Sequence, residues 1–551
     1  QLLATLYSHA GRYDEALPLY DAYLHEIPHG KLARKNKISV LRKLERHSDI
    51  IDCCNTILEL EANATGFIAL KAEAYRALGH PNKALYVYRH ASVLKPQNQT
   101  YKRKIIDLLL SLQQPNQALE IAEELVCTHP KNSELLTLFG IVLSAANKPD
   151  EAAAVFMQAL DLEPNSVNAL TNLGAALLEA KQYNAAIENL AAAIKIDPNH
   201  VFAHSHLARS FEHTKQYTKA LAHYREALKL APHSGDLEWA IAELLLKLEQ
   251  FEEGWAVYES RIQNPTSPHK QTFPTFGLTL WQGQSNSEGL LLIAEQGIGD
   301  EIMFTSCLDH LPENLTIGLI CEDRLAPIFR RSFPSINVVA KGKVNKATLT
   351  SAYQHWLPLG SLPGYLRCTP QSFARKKTQY LWPDPALSEH WQSRIQQLPN
   401  ALNIGFSWRG GGNVKIQSQR STPLTVWRKV LNLDINWINL QYATTQEELT
   451  ELKQLNNNVK TWHEADPITQ LGNFAALIGC LDAVVTVDNA TAHFAAALGL
   501  PTYVLVPYHC DWRWGINRTH SLWYPNATII RQPKDGDWDA VFTDILKALA
   551  D

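Results

Sequence analysis

Residues 133–166 read SELLTLFGIVLSAANKPDEAAAVFMQALDLEPNS, and residues 167–200 read VNALTNLGAALLEAKQYNAAIENLAAAIKIDPNH. Aligned over their 34 residues, they pair Gly140 with Gly174, Ala152 with Ala186, Phe156 with Leu190, Ala159 with Ala193 and Pro164 with Pro198. The same markers continue outward. Prolines stand at Pro28, Pro96, Pro130, Pro164, Pro198 and Pro232, each gap being 34 residues or twice 34, with Ala62 in the vacant slot. Twelve residues before each proline lies a small residue: Ala16, Ala84, Ala118, Ala152, Ala186 and Ala220. Four residues further on a larger one recurs as Tyr20, Tyr88, Phe156, Leu190 and Tyr224. A pair of antiparallel helices explains this. The small residues let the two helices approach, the large one fills the gap between neighbouring pairs, and proline stops the second helix.

The period and its markers resemble the tetratricopeptide repeat. The expected array covers residues 1–265, with seven to eight repeats, the last ending near Trp255, Tyr258 and Arg261. The first repeat reads as truncated, because the chain opens at Gln1 in mid-repeat without an initiator Met. Such a solenoid offers a concave groove for a peptide or partner helix, and it is compatible with a homodimer. The inward positions Leu138, Asn172, His206 and Ala240 hold one asparagine, not the asparagine ladder of the similar array in protein O-GlcNAc transferases. His204, His206, His213 and His223 are numerous enough to suggest a metal, but 204 and 206 point to different helix faces, so none is expected.

At 551 residues the chain exceeds one hydrophobic core, and 46% apolar with 19% charged residues is globular composition. A net charge of -4 gives no footprint for nucleic acid. No apolar run reaches membrane-spanning length. The eight cysteines are scattered without a CxxC pair, which suits a reducing compartment and a cytoplasmic location.

After a loop-like stretch at 262–280, the apolar run Leu290-Leu291-Leu292-Ile293-Ala294 leads into Gln296-Gly297-Ile298-Gly299-Asp300 and then a helical pattern from Glu301. Strand, glycine turn and helix open a parallel α/β lobe, expected at 281–385. A crossing segment near 382–402 leads to a second lobe at 400–535, and a C-terminal helix fills 536–551. In the second lobe the strand Asn403–Ser407 precedes Arg409-Gly410-Gly411-Gly412, and another strand ends at Gln441. The strand Ala483–Val487 runs into Asp488-Asn489-Ala490-Thr491-Ala492-His493, where a helix starts. The fold class is therefore α plus α/β: a helical array followed by two Rossmann-like lobes.

A dinucleotide reading of Gly297-x-Gly299, with Glu322 or Asp323 as the ribose acid, meets two obstacles. Ile302 fills the third small position, and Asp300 sets a carboxylate where a pyrophosphate would lie. Gln296, Gly297 and Gly299 instead read as a turn that makes room for an acceptor, and Asp300 as a candidate base or an N-cap of the 301–310 helix. At 488–493 a helix N-terminus at a strand's carboxyl end suits an anion. Asn489, Ala490 and Thr491 would face it, Asp488 could hold a sugar hydroxyl, and His493 either joins them or packs against a strand. Arg409 and Arg420 are the cations available for a diphosphate. Asp535-Gly536-Asp537 looks like a DxD metal site but sits in a turn. Trp512, Arg513, Trp514, Trp523 and Tyr524 form an aromatic cluster that either stacks on a ligand or packs in the core.

Together these residues resemble the heptosyltransferase-like (family 9-like) glycosyltransferases of the GT-B fold, over about residues 281–551, and especially bacterial proteins joining that half to tetratricopeptide repeats. Gln296–Asp300 matches the Gly-Asp turn of the first lobe. Asp488–His493, followed by Gly499-Leu500-Pro501, matches the donor-side signature Asp-Thr-Gly-x-x-His, with Asn489 and Ala490 in place of Thr-Gly. Phe406–Gly411 with Arg420 looks like the phosphate-contact segment. The resemblance implies inverting, metal-independent sugar transfer from a nucleotide-sugar to an acceptor hydroxyl, without a cofactor. Asp300 would be the base, and Arg409, Gly410, Arg420, Gln441, Asp488, Asn489, Ala490, Thr491 and His493 would form the donor side. The repeats would recruit a protein acceptor or partner. The rival expectation is a non-catalytic repeat scaffold whose second half only binds a nucleotide or partner.

Overall fold

The two helices of a repeat need a tight turn between them, and the backbone makes it with one left-handed residue every 34 positions: Gly11, Glu45, Gly79, Gln113, Asn147, Lys181, Lys215 and Glu249. The computed structural model describes residues 1–550 except 268–269, 284–288, 376 and 413, so Pro268 of the expected linker lies outside the described residues. The chain divides into two compact units, Gln1–Ala227 and Leu228–Asp551.

The first unit is helical throughout. Its pairs are typified by Ser133–Ala145 with Pro149–Leu162 and Val167–Glu179 with Tyr183–Ile196. Asn98, Asn132, Ser166 and His200 cap successive first helices with their side chains, again at the repeat spacing. Ala152 and Ala186 are completely buried. A Cβ added at Gly140 would lie 2.5 Å from the Phe156 ring, and one at Gly174 only 2.4 Å from Leu190. The large residue therefore fills space within its own helix pair, which corrects the expectation that placed it between neighbouring pairs.

The histidines pair locally. His204 Nδ1 and His223 Nδ1 are 3.0 Å apart, and His204 Nε2 lies 3.0 Å from the Pro198 carbonyl. Burial pushes His206 down to about 4. Among the described residues no group of three or more His, Cys, Asp or Glu is placed to hold a metal ion, and no helix is long and apolar enough to cross a membrane.

The second unit opens with the eighth helix pair, Gly235–Lys247 and Phe251–Tyr258, and a short helix Ser260–Gln263. The division between units thus falls before the expected end of the array at 265. Two five-stranded parallel sheets follow. The first comprises β1 (Thr279–Leu280), β2 (Leu290–Ile293), β3 (Ile317–Cys321), β4 (Asn337–Ala340) and β5 (His355–Pro358), in the order β1-β5-β2-β3-β4. The second comprises β6 (Asn403–Ser407), β7 (Asn436–Asn439), β8 (Ala483–Val487), β9 (Thr502–Val506) and β10 (Ala527–Arg531), in the order β10-β9-β8-β6-β7. β2 and β8 are buried along their whole length, as strands covered on both faces must be. The crossing segment contains a helix, Pro385–Ile395, capped by Asp384. Helix Trp538–Ala550 closes the chain against β10, and Asp537 caps it by accepting from Ala540 N at 3.1 Å. That cap accounts for Asp537 of the metal-like triplet.

Candidate functional site

In open parallel sheets, ligands bind beyond the carboxyl ends of the strands, where the strand order reverses. In the second sheet the reversal lies between β6 and β8, since the chain leaves β6 toward β7 and returns to β8 on the other side. Asn489 closes that point. Its Oδ1 caps the helix Ala490–Ala497 by accepting from Thr491 N at 2.9 Å, and its Nδ2 donates to Ser407 Oγ at 3.0 Å and to the Arg409 carbonyl at 3.2 Å. Asp488 stands beside it, 3% exposed. Ala490 is exposed at the first helical position, and Thr491 is buried.

Arg420 faces Asp488 directly. Its Nε lies 3.5 Å from Asp488 Oδ2, and its Nη2 donates to Asp511 Oδ2 at 2.9 Å. The Asp488 carboxylate raises the Arg420 pKa, against the effect of burial. A Cβ on Gly410 would meet Arg420 Cβ at 2.7 Å, so glycine there lets the arginine segment close on the loop. Asp511 passes the contact on, because its Oδ1 accepts from Arg513 Nη1 at 2.8 Å. Burial pushes the Asp511 carboxyl up, but the Arg513 and Arg420 guanidiniums outweigh it and hold the group well below the carboxylate range. Arg513 Nε then reaches Asp300 Oδ1 of the first lobe at 2.8 Å. The result is one alternating line of charge across both lobes: Asp300, Arg513, Asp511, Arg420, Asp488.

The helix after the first-lobe turn differs from the expected 301–310 span at both ends, running Ile298–Thr305 with a separate 3-10 turn at Leu308–His310. The helix begins at Ile298 with Gly297 as its N-cap, so Asp300 is its third residue and not the cap of a helix starting at 301. Asp300 Oδ2 reaches back to Gly297 N at 3.4 Å. The protein's own carboxylate therefore occupies the place of a dinucleotide pyrophosphate, and Asp323 is bound to Gly342 N at 2.8 Å. Gln296 adopts φ +65° and donates to the Tyr258 hydroxyl of the last repeat helix. Gly299 leaves room for His493, whose Cδ2 would lie 2.8 Å from an added Cβ. His493 is 4% exposed, its Nδ1 is 2.9 Å from Tyr524 Oη, and burial pushes it down to about 4. It is a packed neutral imidazole beneath the Asp300 turn.

Arg409 and Gln441 brace the site from outside the charged line. The Arg409 guanidinium donates to the carbonyls of Tyr442 and Ala443 and to Glu448, which ties two loops together. Gln441 Oε1 accepts from Trp408 N and Arg409 N at 3.0 and 2.8 Å. Trp512, Trp514, Trp523 and Tyr524 are buried, with Trp512 edge-on to Trp255 at 5.4 Å, so they pack the interior. Asp511 and Arg513 are the members of the site that sequence reading missed. Arg513 was visible only as part of the aromatic run. The available signal was its placement with Asp511 just beyond the carboxyl end of β9.

A helical repeat array followed by two parallel-sheet lobes with their site residues meeting in one charged line is the GT-B type of architecture. Residues 425–540 match the family model for glycosyltransferase family 9 (heptosyltransferase), and residues 1–32, 137–201 and 201–234 match tetratricopeptide repeat models. The chain thus carries tetratricopeptide repeats and a C-terminal glycosyltransferase family 9 domain. Protein FlbA of Caulobacter vibrioides is 30% identical over 338 residues, covering 57% of this chain and 55% of FlbA. The chain spans about half the length of this curated relative. Among solved structures, TTC0263, a tetratricopeptide repeat protein of Thermus thermophilus, matches at 22% identity and TM-score 0.30, over 33% of this chain and all of that one. MamA from Desulfovibrio magneticus RS-1 matches at 24% identity and TM-score 0.27, over 29% of this chain and 91% of that one.

Proposed function

We propose that the chain is a glycosyltransferase that moves a sugar from a nucleotide-sugar to an acceptor hydroxyl. The observation that carries the reading is the charged line from Asp300 to Asp488, which begins in the first lobe and ends at the strand-order reversal of the second. The acceptor oxygen attacks the anomeric carbon as Asp300 takes its proton. The bond from that carbon to the diphosphate oxygen breaks, and the electron pair leaves with the nucleoside diphosphate. A single displacement of this kind inverts the anomeric centre. Arg420 and the helix N-terminus at Ala490 receive the charge of the leaving group, so the reading calls on no metal. Asp488 holds a sugar hydroxyl. Arg409, Gly410, Gln441, Asn489 and Thr491 shape the loops around the donor, and Gln296, Gly297 and Gly299 shape the acceptor turn. The repeats recruit a protein acceptor or partner in the cytoplasm, alone or as a homodimer.

Thermal shift and nucleotide release across UDP-, GDP-, ADP-, CMP- and dTDP-sugars test this. One donor class should stabilise the protein and be slowly hydrolysed, and both effects should vanish in Asp488→Ala and Arg420→Ala. Asp300→Asn should keep binding while turnover falls by about 100-fold or more, the scale of a lost general base. Well-folded protein that answers to no donor would instead make the chain a repeat scaffold.

A further inference from the structure

Arg513 is shared between two carboxylates, and Asp511 between two guanidiniums. Arg513 binds Asp300 Oδ1 through Nε at 2.8 Å and through Nη2, and Asp511 Oδ1 through Nη1 at 2.8 Å. Asp511 Oδ2 takes Arg420 at 2.9 Å. With its other oxygen turned to Gly297 N, the Asp300 carboxylate has both oxygens engaged by the protein itself. The side chains differ in reach: Arg420 is 32% exposed, Arg513 15% and Asp511 8%. An entering diphosphate therefore meets Arg420 first.

We propose that Arg513 is a positioning residue that keeps Asp300 engaged until a nucleoside diphosphate draws Arg420 away from Asp511, whereupon Arg513 turns to Asp511 and frees Asp300. This rests on the glycosyltransferase reading and adds an order to it: donor first, acceptor second. The driving force is charge balance. Three carboxylates share two guanidiniums along the line, and once the diphosphate claims Arg420, Asp511 retains only Arg513. Asp511 is the more buried of the two carboxylates competing for Arg513, and a buried charge depends more on its partner. Arg513 also donates through its backbone N to Asp511 at 3.1 Å, so its main chain is already fixed on that side. The Asp511 side is thus anchored by main chain as well as side chain, whereas the interlobe contact is made by the Arg513 side chain alone.

Carboxylate footprinting of the full chain tests this, using a carbodiimide with an amine probe and reading Asp300 by mass spectrometry. UDP, GDP, ADP and dTDP serve as ligands, because they leave the sugar position open. In the unliganded wild type, Asp300 should label slowly, and a bound nucleoside diphosphate should raise that rate at least about tenfold, the lower end of what one hydrogen bond to a charged group carries. Arg513→Gln should label fast without ligand, whereas Arg513→Lys should stay slow and responsive. Asp511→Asn should stay slow even with diphosphate bound, since nothing then pulls Arg513 away. A merely structural role for Arg513 would not give opposite signs in these two positions. If calorimetry shows a diphosphate binding while Asp300 labelling is unchanged, the gating is overturned and the donor site stands. If neither these diphosphates nor any nucleotide-sugar binds, both readings fall.

Discussion

A Cβ placed on Gly299 would stand 2.8 Å from the His493 ring, so the Asp300 turn and the second-lobe helix fit only because one side has no side chain. The same contact removes His493 from water. Burial pushes its pKa from 6.5 down to about 4, so the folded chain holds it neutral where the unfolded chain would protonate it. The unfolded state then binds more protons between those values. Stability contributed by the neutral ring is complete above about 6.5 and is lost as pH falls toward 4. The slope reaches at most about 1.4 kcal/mol per pH unit for one such group. Urea unfolding of the full chain at several pH values in that window should show this decline, and His493→Gln should flatten it. An equal decline in the variant would place the sensitivity elsewhere, His206 being the next candidate because it too is pushed down to about 4. At this scale the sequence was half legible. Asp300 and Asp488 stand out because each is a carboxylate shortly after an apolar strand, whereas Arg420, expected near a strand end, is the last residue of the helix Val414–Arg420 and was legible only as a cation in the same lobe. Asp511 and Arg513 were hidden, because their roles arise from partners in distant segments that only the strand order brings together. Arg409 shows the opposite case: its charge was legible, but Glu448 and two carbonyls claim it, and nothing in the local sequence signals that.

Helices and strands were easier to read than their contacts. The 34-residue period follows from a repeated physical need, with small residues at the helix crossing and proline after the second helix, and the positive-φ residues between helices keep the same spacing. The direction in which Phe156 and Leu190 point was not legible, since periodicity gives spacing but not the facing element. Gly140 and Gly174 make that direction testable. Gly140→Ala drives a methyl group to within 2.5 Å of the Phe156 ring, a rigid side chain in a helix pair with little room to part. The cost should be about 1–3 kcal/mol, the range for overpacking a filled core. Phe156→Leu in the same chain should recover part of that loss, although the single change Phe156→Leu is itself destabilising. Thermal melts of the two single variants and the double variant form a cycle with a favourable coupling. Purely additive losses would mean that the two residues do not face each other within the pair.

Where the repeats give way to the half that carries the charged line is decided by contacts as well as by sequence markers. The sequence places the end of the repeats at 265 and the first lobe at 281, because the repeat markers fade there and a linker composition takes over. The helical array does run to Gln263, and side-chain contacts tie its last helix pair to the sheets that follow. Arg261, with no exposed surface, donates to both oxygens of Glu295 at the end of β2 and to Ser361 Oγ. Trp255 lies edge-on to Trp512 and Trp523, and the Tyr258 hydroxyl accepts from Gln296 in the turn that carries Asp300. The last helix pair is therefore part of the body that holds the site, as the division at Leu228 shows. Removing Arg261 alone leaves Glu295 as a buried charge without its partner, a loss of about 3–5 kcal/mol. A fragment 281–551 would suffer that loss and expose the faces of Trp512 and Trp523 as well. We expect residues 228–551 to express as a soluble unit with one cooperative calorimetric transition, and residues 281–551 to aggregate or melt without cooperativity. Arg261→Met in the full chain separates packing from charge, since it keeps the bulk and strands Glu295. Its melting temperature should fall, and Glu295→Gln in the same chain should restore part of it. If 281–551 melts as sharply and at the same temperature as 228–551, the last helix pair is only a tether and the boundary belongs where the sequence put it.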